Sequence, residues 1–520
     1  MYDYVIVGAG SAGSALAARL SEDPDVKVCV VEAGGQDTVE NIHIPAMFGD
    51  LFRTKVDWDY DSAEEPELGN RRIFLPRGKV LGGTSSINAM LYIRGHKSDY
   101  DGWNQPGWSY DELLPYFKRS EDNERGASEF HGAGGPMSVS DGRSNNPMSK
   151  ALVEAAIEAG HPFNDDFNAG DLDGFGYFQL TQRNGRRWST AQGYLHPSSD
   201  RPNLTVKTNV EVHKVLIENG RAVGIVGERF DEPVTIRAER EVILSAGAYN
   251  SPKLLMLSGI GPADELSMLG LDVILDQPHV GQNLQDHAFV PMIFSHSQPV
   301  SLLIAHTPEA HRQFEENGVG PLTSNGPECG GFVRTRPGLD APDVVFFAGP
   351  LMFPDSGLSM PTAHAITYGP IMLTPRSRGH VSLIAADPTT KPKIEHNYYA
   401  DPDDLQTAVD GVKIGMEIAR QAPMAPYTET YYQAPESDSD ADVRAFVRRR
   451  THAIFHASGT CALGTVVDEQ LRVKGIDGLR VADVSIMPKV GRGAPNATAI
   501  MIGERAADII AGAVSRAKAA

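Results

Sequence analysis

The stretch YDYVIVGAGSAGSALAARL, residues 2–20, sets the reading of the whole chain. It predicts a buried strand over Tyr4–Val7, a glycine turn, and then a helix patterned by Ala15, Leu16, Ala18 and Leu20. Gly8, Gly10 and Gly13 form G-x-G-x-x-G. The first glycine permits the turn and the second lets a pyrophosphate approach the backbone, beside Ser11 and Ala12. The third lets the helix close on the strand. The helix start then offers free N–H groups and a partial positive charge to an anion.

A second strand, VKVCVVEAG (26–34), ends at Glu32, followed by Ala33. Glu32 stands 19 positions past Gly13, where a carboxylate is expected to hold a ribose hydroxyl. An acid there disfavours a 2′-phosphate, so NADP is set aside while FAD and NAD both stay open. Strand, turn, helix, strand and terminal acid in this order predict an α/β, Rossmann-like dinucleotide fold.

Composition narrows the partners. The chain has 520 residues, enough for two or three domains, and a formal net charge of −20. That surface repels polyphosphate, so neither nucleic acid nor an anionic membrane is expected as a partner. Runs of about 18 apolar residues are missing, so no membrane span is expected. Three widely spaced cysteines give neither a disulfide framework nor a CxxC site; no metal is expected, and a cytoplasmic setting is.

Further motifs follow in order: PRGKVLGGTSSINAMLYIRG (76–95), SAGAYNSPKLLMLSGIG (245–261), GQNLQDH (281–287), RVADVSIMP (480–488) and PNATAIMIGERAADII (495–510). With the N-terminal fingerprint, they resemble the glucose–methanol–choline family of flavoprotein oxidoreductases, in its choline dehydrogenase and alcohol oxidase branch. The resemblance runs from residue 5 to residue 510. It implies an FAD-binding domain (1–149, 191–290 and 456–520) interleaved with an α+β substrate domain (150–190 and 291–455), the latter an antiparallel sheet capped by helices.

The resemblance also assigns residues. Gly83, Thr84, Asn88, Ala89, Met90 and Leu91 are expected to approach the flavin, Val212 the adenine, and Asp483 the pyrophosphate and ribityl chain, with Ala497 also on the cofactor. Ile87 stands where some relatives attach FAD through a histidine, so non-covalent FAD is expected. His456, heading HASGT, takes the position of the general base, followed by Ala457 where the family usually has proline. A histidine suits that role because its reference pKa of about 6.5 leaves it largely neutral at pH 7. Asn496 is expected as its partner and as the N-cap of the following helix. His452, four residues before His456, is read as structural.

The implied reaction is oxidation of an alcohol, with the hydroxyl proton passing to His456 and a hydride to flavin N5. The electrons then go to O₂ or another acceptor such as a quinone. The expected substrate is a small primary alcohol with an aromatic or aliphatic body, and the expected assembly a monomer or homodimer. Phe455 is an expected pocket residue; Glu328, where choline-type relatives also have an acid, is expected either to meet a cationic substrate or to be a structural hydrogen-bonded carboxylate. Of Phe346, Phe347, Phe353 and Tyr368, half are expected in an apolar pocket and half in the core. A cyanohydrin lyase with redox-silent FAD is the alternative.

Overall fold

The computed structural model describes residues 1–519. Six strands begin one sheet: β1 (Tyr2–Val7), β2 (Val28–Val31), β3 (Leu204–Lys207), β4 (Glu211–Glu218), β5 (Arg221–Arg229) and β6 (Glu232–Leu244). Their order is β3-β2-β1-β6-β5-β4. The pairs β3–β2, β2–β1 and β1–β6 are parallel, whereas β6–β5 and β5–β4 are antiparallel. The long β6 therefore serves both parts: its outer half carries the hairpin, and Val242–Leu244 lie beside Val5–Val7. Val5, Ile6, Val28 and Val30 are fully buried, as expected of parallel strands covered on both faces.

The helix Ser11–Leu20 crosses from β1 to β2, and Pro495–Ala519 packs on it so closely that a Cβ on Gly503 would strike the Ala12 carbonyl.

The second sheet holds β7 (Ala288–Phe289), β8 (Met292–Ser295), β9 (Cys329–Val333), β10 (Val344–Gly349), β11 (Ala365–Met372), β12 (Thr430–Gln433) and β13 (His452–Ala453). Its path is β9-β10-β11-β7-β13, with β8 joining β11 to β12, and every pair is antiparallel. Helices Pro147–Glu158 and Pro402–Ala419 cover one face. A Cβ on Gly415 would strike Met292 and Phe346, so the second helix lies almost against the sheet. The last strand, β14 (Leu479–Val481), returns to the first sheet parallel to β6.

Strand alternation sorts the aromatic candidates on β10 and β11. Phe347 joins Met90, Leu91 and Phe289 on one side of β10, whereas Phe346 packs with Tyr368 toward the helices. Phe346 and Tyr368 are thus the core members of the four aromatic candidates; the Tyr368 hydroxyl donates to the Gly415 carbonyl at 2.8 Å.

Candidate functional site

A single long cleft starts at the carboxyl ends of β1, β2 and β6, where doubly wound sheets place their ligands, and runs to the inner face of the second sheet. Gly8, Gly10, Ser11, Ala12, Glu32, Ala33 and Val212 line its first part. Gly8 takes φ +101°, and a Cβ on it would meet the Ser245 carbonyl. Gly13 is not in the wall; a Cβ there would collide with the Gly8 carbonyl, so its work is helix–strand packing. Gly10 differs, because its Cβ would find nothing nearer than Gly83 Cα at 3.8 Å.

The Glu32 carboxylate accepts from Ala9 N at 3.0 Å and Gly34 N at 2.9 Å, tying the end of β2 to the glycine turn. Burial pushes its pKa up to about 7 against those two amides. Asp483 follows β14 and accepts from Gly247 N (2.9 Å), Ser251 Oγ (2.5 Å) and Ser485 N (2.7 Å). Burial raises its pKa as well.

The segment carrying Gly83, Thr84, Ile87, Asn88, Ala89, Met90 and Leu91 forms the next stretch of wall. Gly83, at φ +55°, lies back to back with Gly10, since a Cβ on it would sit 2.6 Å from Gly10 Cα. Asn88 Oδ1 accepts from Met90 N at 3.0 Å and from Arg187 Nη1 at 2.9 Å. Arg187, which sequence reasoning missed, is buried behind this segment and also donates to the Ile42 and Asn88 carbonyls, both at 2.6 Å. Burial lowers its pKa to about 9.

At the far end stand Phe455, His456 and Asn496. Asn496 is not the N-cap. The helix begins at Pro495, whose missing N–H suits a first turn, and Asn496 follows inside that turn. Its Oδ1 accepts from Ser11 Oγ at 2.7 Å, while its buried Nδ2 has no partner among the described residues. Ala497 is buried in the first turn of this helix and outside the wall, whereas Ala494 and Ala499 are in it. Of the two readings of Glu328, the structure bears out the structural carboxylate. Its carboxylate accepts from Ser144 and Ser149 hydroxyls, each at 2.6 Å, at the start of helix Pro147–Glu158, and only the preceding Pro327 reaches the cleft. Ser144 and Ser149 satisfy it there.

The loop carrying His456 is held without the usual proline. Gln285 and Ser458 exchange two backbone hydrogen bonds at 3.0 Å, and Asp286 Oδ1 accepts from His456 N at 2.6 Å and His287 N at 2.8 Å. Asp286 Oδ2 takes the Tyr398 hydroxyl at 2.8 Å, and burial raises the carboxyl to about 6. His456 Nδ1 meets His287 Nδ1 at 2.8 Å. Burial first, then His287 and Arg77, hold the His456 pKa well below the ordinary histidine value. GQNLQDH was recognisable as a motif, but the pairing of its aspartate and histidine with residue 456 is visible only in the fold. His452 lies outside the wall on β13, its ring edge-on to Phe289 at 5.2 Å, and no helix joins it to His456.

Aromatic rings dress this end. Phe455 adopts φ +69°, a left-handed conformation that costs on the order of 1–3 kcal/mol for such a residue. Phe52 at 6.0 Å and Phe74 at 6.4 Å pack edge-on to it. Phe48 stacks on Phe353 at 6.3 Å, and Phe48, Phe52, Phe289, Phe347 and Phe353 all reach the cleft, whereas Trp58 reaches it at the dinucleotide end, beneath the Lys79 ammonium that pairs with Glu211. Phe48 and Phe52 come from a segment to which sequence reasoning gave no substrate contact.

The residues fit FAD. A glycine turn at a helix start accepts a pyrophosphate, the segment from Gly83 to Leu91 continues the wall beyond it, and the unpaired Asn496 Nδ2 offers a donor to a polar ring edge. Among the described residues there is no cluster suited to a metal ion and no helix long and apolar enough to cross a membrane.

Family models described as GMC oxidoreductase match residues 2–289 and 375–503. The chain is 42% identical to an alcohol dehydrogenase [acceptor] of Pseudomonas putida, covering 98% of this chain and 96% of that protein. It is also 42% identical to an oxygen-dependent choline dehydrogenase of Sinorhizobium fredii, over 98% and 95% of the two chains. A solved structure of Aspergillus oryzae formate oxidase, from work on FAD modification, superposes with a TM-score of 0.91 at 30% identity, over 98% of each chain. With those matches spanning both sheets and the cleft between them, the chain belongs to the GMC oxidoreductase family and is an FAD-dependent oxidoreductase.

Proposed function

We propose that this enzyme oxidises a primary alcohol with an aromatic or aliphatic body to its aldehyde, with His456 as general base. The observation carrying this reading is the placing of His456 with Asn496 in the wall of the cleft that suits FAD; burial, which lowers the His456 pKa, supports it. FAD, which the glycine turn and the segment Gly83–Leu91 would hold non-covalently beside Ile87, would supply the acceptor for the carbinol hydrogen and its electron pair, with O₂ or another acceptor such as a quinone as the final electron sink.

The remaining work falls to side chains. His456 takes the hydroxyl proton at the ring nitrogen turned away from His287. A positioned base of this kind contributes about 10²–10⁴ in rate. Asn496 Nδ2 donates to the alcohol oxygen and orients it; lacking a basic nitrogen, it takes no proton. The start of helix Pro495–Ala519 favours negative charge gathering nearby. Phe52, Phe353 and Phe455 hold the substrate's apolar body and exclude water.

The carboxylates in the wall, Glu32, Glu211 and Asp483, belong to the stretch contributed by the first sheet and its loops, and Glu328 is turned away. This favours a neutral substrate over a quaternary ammonium. The FAD domain is taken as 1–149, 191–290 and 456–520 and the substrate domain as 150–190 and 291–455, with Phe48 and Phe52 of the former also facing the substrate.

The test is anaerobic mixing of the yellow enzyme with benzylic and medium-chain primary alcohols and with choline, followed by air. Bleaching by the neutral alcohols is expected. A flavin that stays yellow with every alcohol would remove the oxidoreductase reading and favour the lyase. Rapid recolouring with peroxide identifies an oxidase, and slow recolouring another acceptor.

A further inference from the structure

His287 is buried, 1% exposed, and neither ring nitrogen reaches a carboxylate among the described residues. Its Nε2 lies 3.1 Å from the Leu373 carbonyl oxygen, and its Nδ1 lies 2.8 Å from His456 Nδ1. The carboxylate of the neighbouring Asp286 is taken up by two backbone N–H groups and the Tyr398 hydroxyl, so it supplies no counter-charge to the ring.

These contacts leave one proton arrangement. A carbonyl oxygen only accepts, so His287 Nε2 must carry hydrogen. A neutral imidazole has a single N–H, so His287 Nδ1 then bears a lone pair. Burial favours that neutral form, pushing the His287 pKa down to about 4. Two nitrogens 2.8 Å apart share one proton, which therefore resides on His456 Nδ1. The Nε2 of a neutral His456 is then left with its lone pair, in the wall of the cleft.

We propose that His287 is a positioning residue, acting as a relay that copies the fixed direction of the Leu373 carbonyl into the tautomer of His456 and so aims a free Nε2 at the substrate hydroxyl. The proposal rests on the reading of His456 as the base. As the alcohol O–H bond breaks and an N–H bond forms at His456 Nε2, the ring becomes an imidazolium, and its Nδ1–H stays bonded to His287 Nδ1. No proton has to leave the dyad in this step. The arrangement resembles the way a second group orients the histidine of a hydrolytic triad, with a neutral imidazole in place of a carboxylate. It supplies direction without placing a buried charge beside the base.

The experiment uses the FAD-loaded enzyme in two parts. ¹⁵N-histidine NMR of the wild type, with His456 assigned by its loss in His456→Ala, is expected to show a protonated Nδ1 and an unprotonated Nε2. The opposite tautomer would overturn the proposal, and this arm holds even if the His287 variants fail to fold. His287→Phe and His287→Gln are then compared by anaerobic stopped-flow. The glutamine amide can donate to Leu373 O and accept from His456 Nδ1; phenylalanine can do neither. The rate of flavin reduction is expected to fall about 10–100-fold in His287→Phe with the alcohol's Kd unchanged, and most of that loss to be recovered in His287→Gln. Equal losses in both variants, or none in either, would sink the relay. If His456→Ala slows reduction while His287→Phe does not, the relay fails and the base stands. If His456→Ala has no effect, the functional reading itself fails.

Discussion

The two ends of the cleft are built on different principles. At the dinucleotide end the backbone does the work: a glycine turn, free N–H groups at a helix start, and Glu32 and Asp483 bound to main-chain amides. At the histidine end side chains do it, through rings and imidazoles gathered from distant parts of the chain. Backbone constraints are local and leave marks at fixed spacing, whereas side-chain assemblies leave none. The first end therefore suits a cofactor common to a whole family, and the second is free to differ in substrate.

Glycine substitutions test this contrast with the largest expected effect. Gly13→Ala places a methyl on the Gly8 carbonyl, so little folded, yellow protein is expected. Gly10→Ala meets no protein atom closer than 3.8 Å and should fold, yet project into the space for the pyrophosphate. Thermal melting and flavin content of the two purified proteins separate these outcomes. Equal melting temperatures would show that Gly13 is not needed for packing.

A smaller effect is expected at the other end. Phe52→Ala removes a ring packed on Phe455 and opens the aromatic wall. An edge-to-face pair is worth about 0.5–1.5 kcal/mol beyond its burial. KM for a benzylic alcohol should thus rise about 3–10-fold, with flavin content unchanged and little change in flavin reduction at saturation. A fall in flavin content instead would mean that the two ends are not separable.

The same contrast explains what the sequence disclosed. The turn at residues 8–13 and the strand ending at Glu32 were legible because steric rules bind neighbours. Phe346 and Phe347 were not separable by composition, since only the register of β10 sends one to the helices and the other to the cleft. Glu328 could be read as a pocket acid or as a structural carboxylate, and only the fold decides, by bringing Ser144 and Ser149 from far back in the chain to hold it. Asn496 looked like a cap because Pro-Asn before a long helix is a capping pattern; the helix in fact starts one residue earlier, at Pro495. His287 sits 169 positions from His456, and no pattern in one sequence joins them.

The central claim is that His456 removes the hydroxyl proton. Its most direct test is anaerobic stopped-flow reduction of His456→Ala by the best alcohol substrate, with flavin content measured on the same sample. The account predicts full FAD occupancy and reduction slowed by at least about 10². Reduction at the wild-type rate in a fully loaded variant would contradict it.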